Sequence, residues 1–441
     1  MIKKPVFPKI LLLILLYCLV FILLVMIQFP RHGDPAQGRR ILTSRSQESP
    51  FEVDPGEFVI AQARTRRDYD TALNRWRDQN FSQWNRIISQ ANDEDIIIAF
   101  IREAMNRQNY KPAVSAITPA FLNSGQRSYQ STVYLGQLDS TYKSLINADK
   151  EKLNVLARLI NDKSPDFLKE PRVFEYFAVR GFGNLVEEGE KIIRSLDTAA
   201  LDQEIIPGIF ESYLFWKNNF PQKENPFENF LDEACLTIYH NLKQNQGKDR
   251  VLVFSEDRAD TVLNLRLGKS LLNWAESEED ESWASLARSI IISVLLESNA
   301  GSIRGAFLVS DQGETGEDSS APTLSTARLY RILGPGEYSP RALAVNAENN
   351  IWAWTASQTI SAAENNNVLD ISASFPAGET HYMIFRGIRS FAKIQLYDMD
   401  FRTDPQFERY DSSGWSYVPA EQCLLVKMKH RTTVEHIRIF F

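Results

Sequence analysis

Ser310–Ser325 reads SDQGETGEDSSAPTLS, and the chain changes character across it. Before it, apolar residues recur at spacings of three and four. Beyond it they recur at every second position. Those are the periods of helix and strand. The stretch itself is acidic, polar and rich in turn formers, which marks a linker or long surface loop over 310–326. The sequence therefore predicts an α+β chain: an all-α domain over 57–309, of the solenoid or α/α-toroid kind, then an antiparallel β-sandwich over 327–441.

On the helical side, Ile87, Ile88 and Ala91 make one apolar stripe, and Ile97, Phe100, Ile101 and Ala104 make another. Asp93 stands at an N-cap position before the second, with Glu94 and Asp95 in its first turn. Further helical patterns run over about 128–147, 149–162, 184–197, 199–217, 226–245, 257–277 and 280–298. Pro112, Pro119, Pro165, Pro171, Pro207, Pro221 and Pro226 punctuate them. The reading is roughly ten helices joined by short turns, with no strand among them and no repeat period. Leu271, Trp274, Trp283, Leu286, Ile290 and Val294 are expected to form the core of one helical hairpin.

On the strand side, short runs rich in β-branched and aromatic residues fall at 327–333, 351–358, 368–375, 380–386, 391–398, 415–418, 423–429 and 434–441. Alternation is clearest in 391–398 and 434–441. The last strand is expected to belong to the packed sheet.

The N-terminus carries the other strong signal. Ile10–Pro30, ILLLILLYCLVFILLVMIQFP, is uncharged and bracketed by Lys9 and Arg31. About 20 apolar residues in a helix cross a bilayer core, so 10–30 reads as a transmembrane signal anchor. It is too long for a cleaved leader and lacks a small-residue cleavage site. Residues 1–9, with Lys3 and Lys4, form a cytoplasmic tail, and 31–56 form a linker rich in Pro, Gly, Ser and Arg. Arg31, Arg39, Arg40 and Arg45 weigh against this orientation on the positive-inside count; the signal-like start favours it. The expectation is a single-pass protein of a bacterial inner membrane with its body in the periplasm. Asn80-Phe81-Ser82 is the one glycosylation sequon.

Of the 441 residues, 44% are hydrophobic and 24% charged, which excludes wholesale disorder. The net charge is -7 and the basic residues are dispersed, so no nucleic-acid partner is expected. Cys18, Cys235 and Cys423 have no metal-site spacing, and neither a metal nor a cofactor is expected. P-loop, GxGxxG, GxSxG and HExxH motifs are absent from the sequence.

Four polar or aromatic groups are candidates for chemistry. His240, in Tyr239-His240-Asn241, is a titratable ring near a helix end, where a half-exposed face is the plainer reading. Glu276 to Glu281 lacks the pattern of a calcium loop and reads as a solvated helix–helix turn. Asp398 and Asp400 share a face if their strand continues, where they could bind a hard cation or divide acid–base work. A salt-bridged turn, with Arg402 and Arg409 as partners, is the alternative. Finally, Trp352, Trp354 and Trp415, near Tyr382 and Tyr417, could stack on sugar rings, with His381, Arg386 and Asp400 as orienting groups. The competing reading puts those rings in the sandwich core.

Anchor, many-helix domain and terminal strand module occur in an order similar in outline to polysaccharide-active proteins in which an α/α toroid precedes a β-sandwich. That resemblance is architectural, over about 57–441, and carries no catalytic residue across. The expected function is a membrane-anchored envelope protein that binds a glycan or another protein. The alternative is a glycan-active enzyme, a lyase or hydrolase, working between the two domains with His240 or His381 moving a proton. A pure scaffold is a third possibility.

Overall fold

The structure, a computed structural model, describes residues 64–117, 121–122, 127–197, 201–245, 250–309 and 315–441. The expected tail, membrane span and linker (1–56) lie outside the described residues. Within them, no helix is long and apolar enough to cross a membrane.

The chain is α+β, with twelve α-helices among the described residues. Helix α1 (Arg66–Ile87) opens on a capping box made by Thr65 and Asp68. Helix α2 (Glu94–Asn106) begins where the sequence predicts: Asp93 Oδ1 accepts from the Asp95 N–H at 2.9 Å. Helices α3 (Tyr110–Ala116), α4 (Tyr129–Leu135) and α5 (Leu138–Asn161) follow. The expected break near 148 is absent. The chain turns instead after Leu135, where Gly136 and Gln137 both have positive φ, and 138–161 contains no Gly or Pro to stop it.

Next come α6 (Val173–Val179), α7 (Gly183–Ser195), α8 (Ile206–Asn219) and α9 (Leu231–His240). Helices α10 (Thr261–Ser277) and α11 (Glu281–Glu297) form the anticipated hairpin, with all six expected core residues buried. Asp280 caps α11 through the Trp283 N–H. Gly268 lets the pair approach closely, since a Cβ there would meet Ile291 Cγ1 at 2.8 Å.

Two expectations are corrected here. The helical region does contain strands: β1 (Leu242–Asn245) pairs with β2 (Arg250–Val253), and β3 (Arg258–Asp260) starts a small sheet. Its partners are β5 (Ala306–Val309) and β6 (Thr315–Glu317), and β4 (Ser302–Arg304) pairs with β7 (Thr323–Ser325), so β6 and β7 fall within the stretch expected as linker or loop. The run expected as a strand over 327–333 is helix α12 (Thr326–Leu333), capped by Ser325. Seven residues are too few to separate the two periods, and Leu329, Tyr330 and Leu333 pack at helical spacing.

The C-terminal part holds β8 (Arg341–Asn346), β9 (Ile351–Thr355), β10 (Ile360–Asn365), β11 (Val368–Ser374), β12 (Thr380–Arg386), β13 (Lys393–Leu396), β14 (Met399–Phe401), β15 (Gly414–Val418), β16 (Cys423–Lys429) and β17 (Val434–Phe440). They make two five-stranded antiparallel sheets, ordered β10-β11-β17-β13-β14 and β15-β16-β12-β9-β8. Ile371, Ile394, Ile437 and Ile439 of the first meet Ala353, Phe385, Leu424 and Val426 of the second in one core. Strand β17 pairs with β11 and β13, so the chain ends inside a sheet.

Helices cover the outer face of the second sheet. Leu138, Tyr142 and Leu145 of α5 pack on Trp352, Ile384, Cys423 and Leu425. Glu408, from the loop before β15, accepts hydrogen bonds from the N–H groups of Gln137, Leu138 and Asp139 at 2.7, 3.0 and 3.2 Å. The first turn of α5 is thus capped by a carboxylate from the strand module.

Candidate functional site

Helix α10 has two working faces. Leu265, Gly268, Leu271 and Leu272 are buried, with Gly268 seated against α11. Val262, Arg266, Lys269, Ser270 and Asn273, again at spacings of three and four, line a basin of about 1330 Å³. Helix α8 supplies Glu211, Leu214, Phe215 and Asn218, and α6 supplies Glu175 beside Arg172. The loop after α12, with Arg341 and Leu343 of β8, forms the remaining wall, so the basin opens where helices meet the strand module.

Its lining is basic although the whole chain is acidic. Arg77, Arg102, Arg172, Arg266, Lys269, Arg331 and Arg341 face three carboxylates, Glu175, Glu211 and Glu337. Four of the cations are paired. Arg266 holds Glu211 through two bonds of 2.9 and 2.8 Å. Arg172 pairs with Glu175, Arg331 with Asp95, and Arg77 with the fully buried Glu103. Glu103 also takes Arg107 and the Tyr330 hydroxyl, and so spends its charge below the basin floor.

Three cations have no carboxylate partner among the described residues. Arg102 is almost wholly buried, donates to the carbonyls of Tyr330, Gly334 and Pro335, and keeps an unpartnered Nε. Arg341 donates to the carbonyls of Gly336, Ser357 and Gln358. Lys269 donates to no group of a described residue. Desolvation pushes the pKa of all three down, and Arg341 is lowered further by repulsion from Arg172 and Arg102. The amides of Asn218 and Asn273 are exposed and make no hydrogen bond to a described residue. The arrangement suits a ligand that supplies negative charge and hydrogen-bonding hydroxyls.

The residues singled out from the sequence lie elsewhere and are not brought together. Trp352 and Trp354 project from one face of β9, opposite Ala353, and that face is covered by helices. Arg180 stacks on the Trp352 ring at 4.6 Å, and Trp354 Nε1 donates to the Tyr129 carbonyl. Trp415 is on the other side of the same sheet, in the inter-sheet core, with Nε1 donating to the Phe401 carbonyl. These three rings therefore form no open platform. His381 is buried with Nε2 2.7 Å from Thr355 Oγ1 and Nδ1 3.2 Å from His430 Nε2, and it stacks on Phe375. Burial, then the neighbouring His430, drives its pKa well below the usual histidine value. Arg386 bonds the Glu421 carbonyl at the sheet rim.

Asp398 and Asp400 share no strand face; they sit at a salt-bridged turn, one of the two readings of the sequence, with other partners than expected. Asp398 is not on a strand: with Tyr397 it forms the two-residue turn between β13 and β14, both at positive φ. It pairs with Arg438, while Asp400 pairs with Lys393 and Gln395; neither Arg402 nor Arg409 is the partner. His240 is exposed at the end of α9. The sequon residue Asn80 is buried, bonded to Trp76, Gly301 and Thr326.

The basin was invisible to motif reading because its residues come from α1, α2, α6, α8, α10, α12 and β8. One local signal existed: Arg102 and Glu103 interrupt the otherwise apolar run Ile96 to Met105. Comparison with protein-family models, with curated proteins and with solved structures gives no match.

Proposed function

We propose that the protein is a single-pass protein of the bacterial inner membrane, with its body in the periplasm, that binds a polysaccharide in the basin without cleaving it. The uncharged run 10–30 supports the tether, being long enough to span a bilayer core. The helices serve as a solenoid-like scaffold, and the strand module closes one side of the site.

The observation that carries the binding reading is the state of the basin's acidic groups. Glycoside hydrolysis uses a pair of positioned carboxyl groups as acid and base. Glu211 is clamped by Arg266 and Glu175 is paired with Arg172, so Glu337 is the one lining carboxylate without an ion pair among the described residues, where hydrolysis needs two, and no histidine is among the lining residues. A volume above the roughly 300–1,000 Å³ of a drug-sized pocket suits several linked units.

The test is equilibrium binding of the full chain, in detergent micelles, to a panel of bacterial envelope polysaccharides, with parallel assays for new reducing or unsaturated ends. Saturable binding without product is the expected result. Product formation would replace this reading with the enzymatic one, and a folded chain that binds none of the panel would reject both.

A further inference from the structure

The basin holds more positive charge than its own carboxylates neutralise, and the excess sits on three identified side chains. Arg102, Lys269 and Arg341 make no ion pair among the described residues; Glu103, Glu276 and Glu175 attract them in turn without contact, and Arg341 is repelled by both Arg172 and Arg102. Clustering like charges where water is partly excluded is unfavourable unless an opposite charge is supplied. The carboxylates nearby supply it only in part, since Glu103, Glu211 and Glu175 are engaged by other cations, Glu276 pairs with Arg288, and Glu337 is on the exposed loop. Arg102 and Arg341 have spent most of their donors on backbone carbonyls, so they contribute mainly field. Lys269 has its donors free and is carried on the rigid face of α10. Asn218 and Asn273 offer neutral hydrogen bonding close to it.

We propose that the basin selects an acidic polysaccharide, with Lys269 donating directly to a ligand carboxylate within the field of Arg102 and Arg341. This rests on the polysaccharide-binding reading and adds the charge of the ligand to it. Selectivity here means a difference in affinity between an acidic and a neutral chain of the same backbone.

The experiment titrates the full chain in detergent micelles with a short oligouronate, with its carboxyl-reduced neutral counterpart, and with inorganic polyphosphate. The oligouronate is expected to bind at least about tenfold more tightly than the neutral sugar, as one charge-assisted hydrogen bond allows. Lys269→Met should remove about tenfold of that affinity and flatten its salt dependence, and Lys269→Arg should restore most of it. Lys269 carries no hydrogen bond to a described residue, so an unchanged thermal midpoint in Lys269→Met separates a binding defect from a folding one. Equal affinity for the acidic and neutral sugars overturns the charge assignment while leaving polysaccharide binding intact. Polyphosphate binding with neither sugar bound overturns both, as does the absence of any binding by a folded chain. Oligouronate affinity unchanged in Lys269→Met overturns the role given to that side chain.

Discussion

The two sheets of the C-terminal part share one core but differ in what lies on their outer faces. On β17, in the sheet that faces solvent, burial alternates: Glu435, Ile437 and Ile439 point in, while Val434, His436 and Arg438 point out. On β16, in the sheet beneath α4 and α5, every residue from Cys423 to Met428 is buried. Six consecutive buried positions need cover on both sides, and the helices provide it. The comparison teaches that aromatic richness on a strand face, as at Trp352 and Trp354, can signal a third layer rather than a ligand.

The sharpest way to break the comparison is to remove the strand that holds the solvent-facing sheet together. Truncation after Glu435 deletes most of β17, which pairs on both sides, and should abolish cooperative unfolding of the C-terminal part by circular dichroism. Next is the covered face. Trp354→Ala should cost about 3 kcal/mol in denaturant unfolding, since it empties a half-buried ring site beneath the helices and removes the hydrogen bond to the Tyr129 carbonyl. Asp370→Asn on the open face loses exposed pairs to His436 and Arg438 and should cost less than about 1 kcal/mol. Equal effects from those two substitutions would erase the distinction between the faces.

The histidines sharpen it further. His381 and His430 lie buried with pKa values lowered chiefly by desolvation, whereas His436 is outside beside Asp370. With the folded pKa below the unfolded value, the unfolded chain takes up protons first. Stability contributed by the neutral pair is then complete above about pH 6.5 and is lost as pH falls toward the folded values. The loss should approach about 1.4 kcal/mol per pH unit for His381, with a smaller share from His430, measured as the urea midpoint between pH 7 and 5.5. Replacing both by glutamine should flatten that slope. The smallest of the substantial effects is expected at Glu408→Ala, about 1–2 kcal/mol, because its three N–H partners at α5 can turn to water.

Legibility from sequence followed the same divide. Strands with one face in water announced themselves, and 434–441 was readable almost to the residue. Ranges for β12 and β16 were readable from composition, but which face would be covered was not. Helix starts with a local cap, such as Asp93 before α2, were also plain. The start of α5 was not, because its cap is Glu408, far along the chain. Strands β8, β10 and β14 escaped notice: β8 and β10 carry alanines where large apolar residues would betray the period, and β14 is only three residues long. The basin shares the long-range character of the α5 cap, being assembled from residues on seven elements.

That cap has a consequence for how the protein is made. The Gln137 amide is synthesised 271 residues before the carboxylate that satisfies it. Until the final segment emerges, the beginning of α5 and the apolar side it presents to the strands stay open. A chain of this build closes late, and an interrupted synthesis leaves a helical body with a greasy flank exposed, ready prey for quality-control proteases.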